Sequence, residues 1–345
     1  VTWRLSDKGL MQKICIIPKV RGVGGMVSFL HKFSAGAQAR GVQITSDLAD
    51  VPYQAVLVIG GTREIPSLWR VKQRGIRVVQ RLDGINWIHT VRHVSLKHSL
   101  RAEYGNFILA FIRRFMADKI IYQSAFCQRW WDVRFGQLKT PFSVVHNGVD
   151  LQAYSPGNGR PSGVYRLLVV EGSLGGGYES GLENAVHLAE GLTARGWPME
   201  VLVVGEVGQA LKTEWAARSS VPLRWAGLVE REQIPSLDHS AHLLFSADVH
   251  PACPNAVIEA LACGLPVVSF DTGSLAELVR PDCGFVAPYG SDSWKLEVPD
   301  MAGLTAGAES VLKDWPRFSA AARKRAEAAF GLEMMVDKYL DVLLG

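Results

Sequence analysis

The sequence predicts an α/β protein built on two doubly wound parallel sheets. Short, almost unbroken apolar runs such as "AVLVIGG" (55–61) and "MEVLVVGE" (199–206) are what a sheet covered on both faces requires. Helical patterns separate these runs, and strand, Gly-rich turn, helix, strand is a βαβ unit. The alternation stops at "SPGNGRPSG" (155–163), the densest cluster of Pro, Gly, Ser and Asn, and then restarts. With 345 residues the chain exceeds the size at which a single core usually stops growing, so two domains are the default expectation.

Taken in order, "KICIIPKV" (13–20) is the first strand. "GGMVSFLHKFSAGAQARG" (24–41) is helical in period and closed by a glycine suited to a C-cap. Strands are expected at 55–61, at "IRVVQRLDG" (76–84), at "KIIYQS" (119–124) and at "FSVVHNGVD" (142–150). After the linker come "YRLLVVEG" (165–172), a helix over 181–195, and strands at 199–206, 223–229, 242–247 and 265–270. The tail from 303 to 344 reads as helical throughout, with "AARKRAEAAF" rich in strong helix formers. The expected division is 1–154, 155–318 and a terminal helix at 319–345, with residues 1–10 left out of the fold reading.

Composition narrows the function classes. Hydrophobic residues at 48% and charged residues at 20% are those of an ordinary globular protein. The net charge of +4 is mild and suits an anionic small substrate or a membrane surface as well as background variation. No basic run interleaved with aromatics suggests a nucleic-acid partner. Five cysteines without CxxC spacing favour a reducing compartment and no metal site. No apolar stretch reaches the roughly 18 residues that span a bilayer. The N-terminal stretch has no signal-peptide hydrophobic region, so a cytoplasmic location is expected.

Ligands bind such sheets at the carboxyl ends of their strands, so the site is sought there. "VRGVGGMVSFL" (20–30) places Gly22, Gly24 and Gly25 between the first strand and the first helix, beside Arg21. Glycines let backbone approach a ligand, and a helix N-terminus favours an anion. A tight turn without a ligand uses the same residues. The dinucleotide fingerprint is incomplete, because Val27 stands where its third glycine belongs. In "CPNAVIEALACG" (253–264), Pro254 and Asn255 open a helix and Glu259 follows one turn later. Its carboxylate either gains about 0.3–1 kcal/mol from the helix dipole or accepts two ribose hydroxyls.

"PNAVIEALACGLPVVSFDTGSLAELV" (254–279), "VVHNGVDLQAYSP" (144–156) and the two-domain layout resemble the GT-B retaining glycosyltransferases of family GT4, most strongly over 142–280. The resemblance implies two Rossmann-like domains facing a cleft and a C-terminal helix crossing back to the first. It implies a nucleotide-sugar donor held mainly by the second domain, a glycan or lipid-linked acceptor held mainly by the first, and no metal or cofactor. It assigns Glu259 to the donor ribose, and Pro254, Asn255 and Ala256 to the donor phosphates and sugar. Gly24 and Gly25 then lie by the diphosphate. The base is expected against the backbone of Gly227, Leu228 and Val229, after "LRWAGLV". By position Asp83 is expected to hold a sugar hydroxyl and Arg81 a phosphate, although an ion pair or turn cap explains that pair almost as well.

Three departures stand out. Pro251 occupies the position of a second family glutamate, and Ser173 and Ser180 occupy those of the Arg and Lys that pair with the diphosphate. Backbone N–H groups of Gly172, Gly175, Gly176 and Gly177, with Arg21 and Arg81, are the available replacements. The segment 89–119 is long, basic and partly amphipathic, as a helix lying on an anionic membrane would be, or a core helix with solvated arginines. The expected activity is transfer of a hexose-type sugar from a nucleotide-sugar to a hydroxyl acceptor with retention, as a cytoplasmic protein or one peripheral at the inner face of the membrane. The alternative is a GT-B-like protein that binds nucleotide or glycan without transferring sugar. A dehydrogenase would need the full glycine fingerprint and a following acidic residue.

Overall fold

The structure, a computed structural model, describes residues 12–20, 22, 24–92, 95–175 and 179–345. Its first sheet contains β1 (Lys13–Ile17), β2 (Gln43–Thr45), β3 (Ala55–Ile59), β4 (Arg77–Leu82), β5 (Lys119–Tyr122) and β6 (Phe142–Val144). All pairings are parallel, in the order β2-β1-β3-β4-β5-β6. Helices α1 (Gly25–Ala39), α2 (Ile65–Gln73), α3 (Leu96–Phe111) and α4 (Ala125–Phe135) connect these strands. Every residue of β3 is buried, which is why its sequence does not alternate.

The second sheet repeats the plan with β7 (Tyr165–Ser173), β8 (Met199–Glu206), β9 (Leu223–Gly227), β10 (Leu243–Phe245), β11 (Val267–Phe270) and β12 (Gly284–Ala287). It is also parallel, in the order β12-β11-β10-β7-β8-β9. Its helices are α5 (Glu179–Ala194), α6 (Gln209–Arg218), α7 (Ile234–His239), α8 (Asn255–Ala262), α9 (Leu275–Leu278), α10 (Met301–Lys313) and α11 (Trp315–Ala329). Apolar cores lie on both faces, one centred on α5 and α10 and the other on α8 and α11.

The last helix, α12 (Leu332–Leu344), leaves the second lobe. Met335, Val336, Tyr339, Leu340 and Leu343 join Ile14, Phe33, Leu57 and Val79 in one core of the first lobe. The approach to α1 is close enough that a Cβ on Gly36 would lie 2.5 Å from Val336 Cγ2, so only glycine fits there. The crossing itself is braced. Val149 N–H donates to Phe330 O at 2.8 Å and Leu332 N–H donates to Val149 O at 2.9 Å, binding the two inter-lobe passages together.

Several sequence expectations shift. The tail is three helices rather than one, broken at Asp314 and at Phe330–Gly331. Pro316 falls in the first turn of α11, where its missing N–H leaves no bond unmade. Strand β6 ends at Val144 rather than 150, because the following residues form the crossing loop. Strands β2 and β12 were not anticipated. Each is short and lies at a sheet edge, where an apolar run is not required.

Candidate active site

A cavity of about 790 Å³ opens between the lobes. Its first-lobe wall is made by the chain leaving β1, β3 and β4 and by one face of α3, and its second-lobe wall by residues 248–252 after β10. Both sheets thus present their carboxyl ends to it, as the doubly wound topology requires. A smaller cavity of about 160 Å³ lies against the second sheet, lined by Glu171, Ser173, Leu174, Ala247 and Asp248. Asp248 faces both.

The loop after β4 carries Asp83 into the large cavity. Its backbone carbonyl accepts Trp131 Nε1 at 2.7 Å and Cys127 Sγ at 2.9 Å, so α4 fixes it from behind. Asn106 of α3 fixes the other end, accepting Asn86 N–H at 3.0 Å and donating to Asn86 O at 2.9 Å. Burial raises the Asp83 pKa, opposed by the nearby Arg81 charge.

Arg81 lies elsewhere. Its side chain is 1% exposed, points into the first-lobe core with the guanidinium 4.0 Å over the Phe29 ring, and donates to Asn147 Oδ1 at 3.0 Å. It therefore does not line the cavity. Asn147 in turn donates Nδ2 to Cys253 O at 2.9 Å, so Arg81 reaches the loop before α8 through an intermediate. Glu277 of α9 ties the second lobe to the first, accepting the N–H groups of Ala125 and Phe126 at the start of α4 at 2.8 and 3.2 Å and pairing with His146 Nε2 at 2.8 Å. Burial raises the Glu277 pKa, but these hydrogen bonds outweigh it and the net shift is downward.

Glu259 sits on α8, 8% exposed, and Lys32 Nζ of α1 lies 3.1 Å from its Oε1. Lys32 also donates to Gly148 O at 3.0 Å. The carboxylate set into an apolar helix thus meets a cation from the opposite lobe. Pro254 caps α8, with Asn255 and Ala256 in its first turn and no side chain capping its N–H groups. Gly24 and Gly25 are exposed at the N-terminus of α1, whose Met26 reaches the large cavity. Leu228 and Val229 follow the edge strand β9 and line neither cavity. Ser173 is exposed at the end of β7, Gly175 lies two residues on, and Ser180 is in the first turn of α5. Arg21 and Gly176, with Gly177, lie outside the described residues.

The structure brings into the site groups that the sequence did not single out. Glu171, at the end of β7, shares the smaller cavity with Asp248. Burial, then the Asp248 charge, pushes Glu171 up to about 8, and burial pushes Asp248 up to about 6. Among the described residues, no Lys or Arg of the second lobe lines either cavity, while Arg63 and Arg101 reach the larger one from the first lobe. Trp87 and Trp130 line the large cavity, and Trp294 packs at 5.3 and 5.2 Å from them. Trp294 is far downstream in sequence and carries no local pattern that points to the site.

Comparison with known proteins fits this geometry. Residues 166–300 match the family described as glycosyl transferases group 1. Glycogen synthase of Mycobacterium tuberculosis is 29% identical over 202 residues, which is 56% of this chain and 44% of that protein. The chain therefore aligns with less than half the length of that relative. Among solved structures, sucrose-phosphate synthase from Thermosynechococcus elongatus superposes with a TM-score of 0.73 at 14% identity, over 96% of this chain and 98% of that one. HepE of Anabaena, solved with UDP and glucose, gives 0.68 at 13% identity over 96% and 99%. The chain has the two-lobed GT-B fold, and its residues 166–300 are similar to the glycosyl transferases group 1 family.

Proposed function

We propose that the protein is a retaining glycosyltransferase that moves a hexose-type sugar from a nucleotide-sugar to a hydroxyl acceptor, a glycan or a lipid-linked sugar. The observation that carries this reading is the 790 Å³ cavity, walled by strand ends of both sheets and closed on one side by the matched domain. The donor nucleotide belongs to the second lobe, with the N-terminus of α8 toward its phosphates and Glu259 toward its ribose. Asp83 holds a hydroxyl in the cavity. Arg81 acts as a positioning residue through Asn147 and Cys253. The Anabaena neighbour was solved with UDP-glucose, which makes uridine diphosphate sugars the first donors to try. Incubating the protein with UDP-, GDP- and ADP-hexoses and a panel of glycan and lipid-linked acceptors, with mass analysis of the products, tests the reading.

The second reading, binding without transfer, draws on Glu171 and Asp248. A leaving diphosphate needs positive or N–H groups where charge develops, and the second-lobe cavity walls offer carboxyl groups instead of cations. Under that reading nucleotide or glycan binds and no acceptor is modified.

A lipid-linked acceptor is favoured by α3. Leu96, Leu100 and Phe107, which are 75, 63 and 63% exposed, lie with Tyr104 along one stripe of that helix beside Lys97 and Arg101. An exposed apolar stripe flanked by cations suits an anionic lipid surface. No helix among the described residues is long and apolar enough to cross a membrane. Co-sedimentation with vesicles containing phosphatidylglycerol, compared with phosphatidylcholine alone, checks this contact. Leu100→Glu is expected to abolish it.

A further inference from the structure

Helix α4 belongs to the first lobe, yet its first two N–H groups are satisfied by the second. Ala125 and Phe126 open the helix, where no intrahelical acceptor exists. Both donate to Glu277 of α9, to Oε1 at 2.8 Å and to Oε2 at 3.2 Å. The third N–H, of Cys127, donates to Ser124 Oγ within the first lobe at 3.0 Å. A carboxylate at that end of a helix is also favoured by the dipole. Further along the helix, Trp294 of the second lobe packs on Trp130 with ring centroids 5.2 Å apart. Helix α4 in turn holds the loop after β4. Cys127 and the buried Trp131, one turn apart, both donate to the Asp83 carbonyl, at 2.9 and 2.7 Å. A continuous chain of bonds thus runs from a second-lobe carboxylate, through α4, to Asp83 in the wall of the large cavity.

We propose that Glu277 is a positioning residue for Asp83, making the place of Asp83 in the large cavity depend on contact between the lobes. Were the lobes to part, the Ala125 and Phe126 N–H groups and the Glu277 carboxylate would exchange each other for water, and α4 would keep only its first-lobe contacts. A helix moves as a unit, so a shift at its capped end is delivered at Cys127 and Trp131, less than two turns away. Two bonds to one carbonyl leave Asp83 little freedom to stay behind. His146 Nε2, 2.8 Å from Glu277 Oε1, orients the carboxylate from the segment that crosses between the lobes. A tie that sets the cavity wall only with both lobes in place suits a reaction that takes one ligand from each. The role of Asp83 rests on the glycosyltransferase reading, but its placement by Glu277 is measurable without transfer.

Trp131 Nε1–H is the reporter, because its acceptor is the Asp83 carbonyl. The whole chain, labelled with ¹⁵N-tryptophan, is compared by ¹H–¹⁵N NMR with Glu277→Ala, Glu277→Gln and Lys32→Met. Glu277→Ala is expected to move the Trp131 indole proton upfield and to speed its exchange with solvent about tenfold or more, the scale of one protecting hydrogen bond lost. Glu277→Gln keeps an oxygen acceptor and should lie between. It also carries the test if the alanine variant fails to fold. Lys32→Met cuts a tie between the lobes that does not touch α4, and should leave the signal in place. In an active protein Glu277→Ala should also lower kcat/KM for the acceptor about tenfold, with the donor KM within about twofold, since the group displaced belongs to the first lobe. An unmoved Trp131 signal in the folded variants, even with a fall in Tm, would show a structural cap alone and overturn the inference. So would an equal shift in Lys32→Met, or an activity loss confined to the donor KM. A shifted signal in a protein that transfers no sugar would support the coupling and count against transfer alone.

Discussion

Lys32 of the first lobe and Glu259 of the second form a buried ion pair, Nζ to Oε1 at 3.1 Å, with both side chains about one-tenth exposed. It joins α1 to α8 across the interface between the lobes and makes Glu259 more than a charge at a helix terminus. Removing one partner of a buried pair typically costs about 3–5 kcal/mol, because the other charge is stranded, whereas replacing both is far cheaper. Lys32→Met and Glu259→Gln are each expected to destabilise the protein on that scale, with the double variant well below the sum. Chemical denaturation of the four proteins measures the coupling, and additive losses would show that the pair carries no mutual stabilisation.

The same pair sets the sign of a binding experiment. If a ribose uses Glu259, it shares the carboxylate with Lys32. Glu259→Gln should weaken UDP binding by about 1–3 kcal/mol, as loss of a charged hydrogen-bond partner does, while Lys32→Met should leave it unchanged or tighter. Calorimetric titration with UDP reads both, and equal weakening by the two variants would assign the effect to lobe closure instead of to the ribose.

Arg81 is buried, stacked on Phe29 and bonded to Asn147. Arg81→Met keeps much of the volume but leaves the Asn147 carbonyl without its donor. A stability loss of about 1–3 kcal/mol is expected. Asn147→Ala should reproduce its effect on any substrate affinity, because both act on the loop at Cys253. A direct phosphate contact by Arg81 would instead give a loss of diphosphate affinity that Asn147→Ala does not share.

Glu171 supplies a pH signature. Its folded pKa is raised from 4.5 to about 8 by burial and by Asp248, so the fold favours its protonated form. Between those values the unfolded chain releases the proton and the folded one retains it, so stability from this group falls as pH rises from 4.5 towards 8. Glu171→Gln should match the wild type below pH 4.5 and be more stable near pH 8, by roughly 2–4 °C in Tm for each kcal/mol relieved. Thermal melts across that range test this, and equal Tm values near the upper end would show that Glu171 ionises freely in the fold.

Much of the fold was legible because buried parallel strands leave continuous apolar runs. Strands β3 and β8 follow from their residues alone. β2 and β12 did not, since an edge strand of three or four residues needs no such run. The glycine closing α1 was legible too, as Gly41 takes φ 78 just past the helix. The site was legible only along the chain. Asp83, Glu259 and the opening of α8 are marked by local pattern. Lys32 inside α1 resembles any solvated helix cation, and Arg81 at a strand end resembles a site residue until its ring contact with Phe29 is seen. Glu171 reaches the smaller cavity, and Trp294 backs Trp87 and Trp130 of the larger one, through tertiary packing, which no spacing encodes.

The most direct measurement of the central claim is ¹H NMR of the anomeric proton during reaction of the protein with an α-linked UDP-hexose and a hydroxyl acceptor. A retaining glycosyltransferase yields a new α-glycoside, with its small anomeric coupling, as UDP is released. Formation of a β-glycoside would contradict retention. Failure to consume any nucleotide-sugar across the donor and acceptor panels, in a protein that still binds UDP, would contradict the assignment as a transferase.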